Sequence, residues 1–328
     1  MSLVRAERPG SGPALAAAFA VAAALLVGAA VRLAVPLTVL GLAIFGVAHV
    51  ALELRYVLGR FAGALSGRVG HALVVALTVV AFARLVSLSA PTLGRPAEVV
   101  AAHAVVGLGA WVWLRGGRRG VVLALAAVSL AAGLAWTPWY FFVLTHLHNL
   151  VPVAFLWDWS RRLPAPGRAT FRAVQLAWAV GVPALIVCGV ADGVLDLATG
   201  VVRWLVGDGA AVLASSAPPG ASALVAVRFC ATFAFGQAMH YVVWLGFFPA
   251  FGADATRTFE ADHPGLRGWR FWVLIAASEG VVGALLLTQW AQGKALYGAL
   301  ATYHVYLEFP LLVGLWLGAS RGAFARRG

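Results

Sequence analysis

Residues 14–31 read ALAAAFAVAAALLVGAAV, eighteen side chains without a single charge. Runs of this kind recur along the chain and constrain it more than any other feature. An apolar run of about 18 residues or more is long enough to cross a bilayer as a helix. Hydrocarbon offers no hydrogen bonds, so the chain must satisfy its own N–H and C=O groups there. Composition agrees: 62% of the 328 residues are hydrophobic and 11% are charged, under half of the roughly 25% usual in a soluble domain. Mean hydropathy is +0.90. The expected fold class is all-α, a polytopic membrane helical bundle forming one integral domain over residues 1–328.

Ten spans are expected, near 14–31, 34–54, 70–89, 97–114, 120–136, 138–158, 171–190, 222–250, 271–291 and 295–318. The arginines test that count. Arg5 and Arg8 precede the first span. Arg55, Arg60 and Arg68 follow the second, and Arg115, Arg118 and Arg119 the fourth. Arg161, Arg162 and Arg168 follow the sixth, Arg257, Arg267 and Arg270 the eighth, and Arg321, Arg326 and Arg327 the tenth. All six clusters fall on one side, which the positive-inside rule makes cytoplasmic, with both termini there. Topology therefore explains the net charge of +12, and no nucleic-acid partner is implied. The chain reads as an integral protein of a bacterial inner membrane, with the lipid bilayer as its first partner. The N-terminal run could be a signal peptide, but its length favours an uncleaved first helix. Residues 191–221 form the longest loop, on the outer side, where VLDLATGVVRWLVGDGAAVL could lie as an interfacial helix. Cys188 and Cys230 sit in separate apolar segments, which argues against a disulfide or a thiolate metal site.

Polar groups inside these spans carry the functional signal, because ionisable side chains in a bilayer are costly and usually face a protein interior. His49 falls in the second span, His103 in the fourth, His146 and His148 in the sixth, His240 in the eighth and His304 in the tenth. His71 and His263 lie at span edges, where water reaches them. One buried histidine is as well explained by packing. Six on five alternate helices point to a shared polar or metal site, with His49, His146, His148, His240 and His304 as candidate ligands. His103 lacks a nearby acid and ranks last. AHVALELRY sets Glu53 four residues after His49, and TYHVYLEFP sets Glu308 four after His304, each pair on one helical face. Glu53 and Glu308 are the candidate catalytic acids. Either could also accept a hydrogen bond from its histidine and orient it toward a metal, or merely stabilise its helix. Glu53 is close enough to the inner boundary to be solvated beside Arg55. Glu279 is a third acid inside a span, and Gln237 shares a face with His240.

The stretch THLHN poses a geometric problem. His146 and His148 are two residues apart, about 200° around an ideal helix, and cannot both face one ion. Pro152 removes the hydrogen bond that the carbonyl of His148 would accept, and a kink there could bring both rings to one cavity. Otherwise one histidine binds and the other bonds elsewhere. The convergence expected is of His49, His146, His240 and His304, with at least one of the THLHN pair a ligand.

No Cys-x-x-Cys, Gly-rich phosphate loop, Gly-x-Ser-x-Gly or His-Glu-x-x-His motif is present, which argues against nucleotide hydrolysis, serine hydrolysis and zinc proteolysis. Imidazole and carboxylate without thiolate suit non-haem iron, copper or zinc. The stretches AHVALE, YHVYLEF and FFVLTHLHNLVPVAFLW resemble motifs of the Brp/Blh family, polytopic membrane enzymes that cleave β-carotene with histidine-bound iron and dioxygen. The family's Pro-His-Gly-Ala-Leu-Asp stands here as Ala-His-Val-Ala-Leu-Glu, and its His-x-x-x-His pair as His-x-His. The resemblance implies that His49, His146, His148 and His304 are iron ligands or their immediate neighbours. The leading expectation is a membrane-embedded non-haem iron oxygenase or oxidase acting on a lipid-soluble small molecule. Competing readings are a b-type haem electron carrier whose two axial histidines stand on facing helices, and a proton-coupled transporter using the buried His and Glu residues; His146 and His148 are the candidates for cofactor binding. A fourth is an assembly protein whose histidines only pack.

Overall fold

The computed structural model of the chain describes residues 11–318. Arg5, Arg8, Arg321, Arg326 and Arg327 lie outside the described residues. Among those described there is no β-strand. Ten helices are long and apolar enough to cross a membrane: α1 (Gly12–Arg32), α2 (Ala34–Arg60), α3 (Gly67–Ser89), α4 (Pro91–Trp113), α5 (Gly116–Ala135), α6 (Thr137–Arg162), α7 (Ala165–Val187), α8 (Ala223–Phe251), α9 (Trp269–Thr288) and α10 (Trp290–Leu317). The protein is a polytopic all-α helical bundle built for a bilayer. Each expected span is matched by one helix. Three bounds differ by six residues: α2 ends at Arg60 rather than 54, α7 starts at Ala165 rather than 171, and α4 starts at Pro91 rather than 97, with the proline in its first turn, where a missing N–H costs nothing.

By backbone packing the chain divides into two compact units. One holds the described residues up to Gly41 together with Leu144–Val243; the other holds Leu42–Val143 and the described residues from Trp244 onward. Both divisions of α6 and α8, and that of α2, fall inside continuous helices.

In the first unit α1 packs against α7 and α8, and α7 against α8. Lipid is as apolar as leucine, so helices associate through close packing of small residues and through polar contacts. Gly12 meets Gly167 so closely that a Cβ on Gly12 would lie 2.7 Å from the Gly167 Cα. Phe171 fills the space behind that contact, edge-on to Phe19 at 5.7 Å. The stretch after α7 forms short helical turns at Asp192–Val194, Thr199–Val202 and Arg203–Val206 and a two-turn helix at Ala210–Ser216, which rests on α8. The Asp196 N–H donates to the Val31 carbonyl (2.7 Å) and the Val35 N–H to that of Leu197 (3.3 Å). These bonds tie the loop to the α1–α2 corner.

In the second unit α3 and α4 form a tight antiparallel pair, and α10 packs on α3, α4 and α9. A Cβ on Gly94 would stand 2.3 Å from the Ser87 nitrogen, and one on Gly109 2.5 Å from the Pro310 Cβ. Leu52, Phe259, Phe271 and Ile275 make one apolar cluster, and Ala43, Val282 and Leu286 another. Many large apolar side chains, such as Leu25, Phe82 and Val128, point outward, as a lipid-facing surface requires.

Candidate metal centre

In the second unit, His49 on α2 and His304 on α10 meet edge to face, ring centres 5.2 Å apart. Both are buried, at 2% and 1% exposure. His49 Nδ1 lies 3.0 Å from the Phe45 carbonyl. A carbonyl can only accept, so Nδ1 carries the proton and Nε2 keeps the lone pair that can bind a metal. His71, His103 and His263 make the same bond to the carbonyl four residues back. The bond therefore orients helical histidines generally, and what distinguishes His49 is what its Nε2 faces.

One turn beyond these histidines stand Glu53 and Glu308, each 1% exposed. Their carboxyl groups hydrogen-bond each other. An ionised carboxylate only accepts, so such a bond requires a proton on the pair. Glu53 is therefore not solvated beside Arg55. That arginine pairs instead with Glu260 and lies over the Phe271 ring at 4.6 Å. The i, i+4 spacing that suggested a Glu–His contact serves a Glu–Glu contact as well.

In the first unit, His148 on α6 faces His240 on α8, ring centres 4.6 Å apart. His240 is 1% exposed. Beneath it Gln237 donates to the Tyr241 hydroxyl (2.7 Å) and the Thr38 carbonyl (3.4 Å). Directly after Tyr241 the helix widens into a π-helical turn over Val242–Phe247, a feature frequent at functional sites because the extra residue re-aims the side chains around it.

His49, His148, His240 and His304 thus form a buried group that could hold a metal ion: each offers one ring nitrogen, and all four nitrogens lie within 4.8 Å of one another. His148 takes the place in which the sequence reading put His146. The His146 Nε2 donates to the Ser216 carbonyl at 2.8 Å, and its ring sits between Phe229 and Phe233 at 5.5 and 5.9 Å. Pro152 does not bring the two rings together. His103 also stands outside the group, bonded through Nδ1 to the Val99 carbonyl (2.8 Å) and through Nε2 to the Ser129 hydroxyl (3.0 Å). His71 and His263 are exposed, as expected. Neither cysteine is part of the group.

One polar cluster was overlooked in the sequence. Arg84 on α3 grips Glu98 on α4 through Nε, at 3.0 and 3.1 Å from its two oxygens, and through a terminal nitrogen. The Tyr306 hydroxyl donates to the same carboxylate at 2.6 Å, and Tyr140 bonds Tyr306 in turn. The signal was present: an arginine and a glutamate inside apolar runs, on either side of the turn at Ala90. Compared with protein-family models, curated proteins and solved structures, the chain matches none of them.

Proposed function

We propose that this protein is a membrane-embedded, metal-dependent oxidoreductase, with non-haem iron held by His49, His148, His240 and His304 and a lipid-soluble molecule as substrate. The convergence of four imidazole nitrogens carries the reading. Nitrogens bound to one ion at about 2.1 Å stand no more than about 4.2 Å apart. The 4.8 Å limit on the four nitrogens is close to that value, so small side-chain rotations would close the set. Imidazoles without thiolate suit iron, copper or zinc. Haem fits less well: its iron takes at most two axial protein ligands, and here four nitrogens converge.

Bound iron would supply activation of dioxygen toward an apolar substrate. The chain's own residues do the rest. The Phe45 carbonyl fixes the His49 tautomer. The Glu53–Glu308 pair holds a proton one helical turn from His49 and His304, where it can be given up or taken back. The surrounding helices exclude water. The resemblance to carotenoid-cleaving membrane enzymes supports iron and a long apolar substrate. The one-sided arginines support an inner-membrane protein with both termini in the cytoplasm.

The test is metal analysis and an optical spectrum of the detergent-purified chain. Stoichiometric iron without a Soret band is expected, as is its loss in His304→Ala. A Soret band would move the histidines to axial haem ligation. Folded protein retaining and rebinding no metal would refute the reading.

A further inference from the structure

Glu279 lies midway along α9, inside a span, where a carboxylate is costly. Its Oε2 accepts two consecutive backbone N–H groups from the middle of α2, those of Val47 (2.9 Å) and Ala48 (2.7 Å). Within a helix those amides have ready acceptors four residues back, at Ala43 and Ile44. The backbone therefore does not need Glu279 to satisfy it. A carboxylate taking adjacent amides grips the helix as a capping side chain grips a helix N-terminus.

The residue after those amides is His49. Three further contacts fix the same segment. The His49 Nδ1–H donates to the Phe45 carbonyl at 3.0 Å, which ties the ring to the turn Glu279 holds. Gly283, one turn along α9 from Glu279, lets the helices close, since a Cβ there would lie 2.6 Å from the Ala43 carbonyl. On the other side Gly46 abuts Tyr297 of α10, with 3.1 Å between an added Cβ and its ring. A shift of Ala48 would carry His49 with it.

We infer that Glu279 is a positioning residue for the metal centre: it clamps the Val47–Ala48 backbone to α9 and so sets where the His49 Nε2 stands among the four nitrogens. The inference rests on the four-histidine group binding a metal. It assigns a role to an acid inside a span that neither the Glu53–Glu308 pair nor the Arg84–Glu98 pair uses.

The test strips the full-length protein in detergent with a chelator and titrates Co2+, reading affinity and the ligand-field bands. The wild type should bind Co2+. Glu279→Asp draws the carboxylate back by one methylene and should weaken binding by about 10–100-fold, as loss of a group that orients a ligand does; the bands should shift. Gly283→Ala, which pushes α9 from Ala43, should shift the same bands. Glu279→Gln keeps an acceptor oxygen at full reach and should restore wild-type bands. Unfolding temperatures of the metal-free proteins provide the control. If Glu279→Asp lowers that temperature but leaves affinity and bands unchanged, Glu279 serves only the fold and the inference is overturned while the metal site stands. A wild type that binds no Co2+ overturns both.

Discussion

Replacing Glu98 by leucine should be among the most damaging single changes on α4. The Glu98 side chain is 2% exposed and that of Arg84 29%. The carboxylate receives Arg84 Nε at 3.0 and 3.1 Å and the Tyr306 hydroxyl at 2.6 Å. Leucine fills a similar volume, so little cavity energy is lost. What remains is a guanidinium without its counter-ion and a phenol without that acceptor. Breaking a buried pair by removing one partner costs about 3–5 kcal/mol. The exposure of Arg84 argues for the lower end, because water or headgroups can reach it. The stranded phenol adds about 1 kcal/mol, tempered by Tyr140. The expected loss is about 3–4 kcal/mol. Arg84→Leu/Glu98→Leu removes both charges and should be more stable than Glu98→Leu alone, because an apolar pair replaces the ion pair at little cost. Unfolding in mixed micelles at rising SDS fraction, followed by the fluorescence of the 13 tryptophans, measures each term of this cycle. A single-mutant cost under about 1 kcal/mol, or a double mutant equal to the sum of the singles, would refute the argument.

Two further substitutions separate the histidines of THLHN: His148→Ala should abolish metal retention, whereas His146→Ala should keep the metal and lose only the bond to the Ser216 carbonyl, which metal analysis of the two variants decides. Asp192 lies outside the spans, and the guanidinium of Arg228, near the start of α8, hydrogen-bonds it and holds its carboxyl below the ordinary value of 3.8. A carboxyl with a depressed folded value contributes stability above the unfolded value and loses it as pH falls through the folded one. The wild-type unfolding temperature should therefore drop more steeply below about pH 4 than that of Asp192→Asn; parallel curves would show that the pair contributes nothing.

The spans were legible because a bilayer demands length and apolarity, which a sequence displays directly. α1 and α8 fall within two residues of their expected bounds. α4 begins before its expected start because Arg95 reads as a loop residue, whereas it lies within the helix that opens at Pro91. The histidines were legible as a group because each is a polar cost inside hydrocarbon. Their partners were not. The i, i+4 pattern places Glu53 beside His49 and Glu308 beside His304 on their own helices, but only tertiary packing joins the two carboxyls. The grip of Glu279 on Val47 and Ala48 involves backbone amides more than 230 residues away, and no side-chain pattern reports such a contact.

THLHN shows where sequence geometry is decisive and where it stops. A separation of about 200° means that two histidines on an unbroken helix serve two faces, and α6 is unbroken there. His148 turns to His240 and into the metal group, and His146 turns to Ser216 and two phenylalanines. The helical rule alone excludes both as ligands of one ion. The choice between them depends on which face meets α8 near His240, and that face is set by packing. Asn149 marks it: the residue after His148 is buried against Gly236 of α8, with 3.4 Å between its Cβ and a Cβ added to that glycine. A Cβ there makes ordinary van der Waals contact, so a side chain larger than alanine would press α6 and α8 apart beside the His148–His240 contact. A small residue at 236 thus accompanies the close approach of α6 and α8 that brings His148 to His240, and it is legible only once the two helices are known to touch.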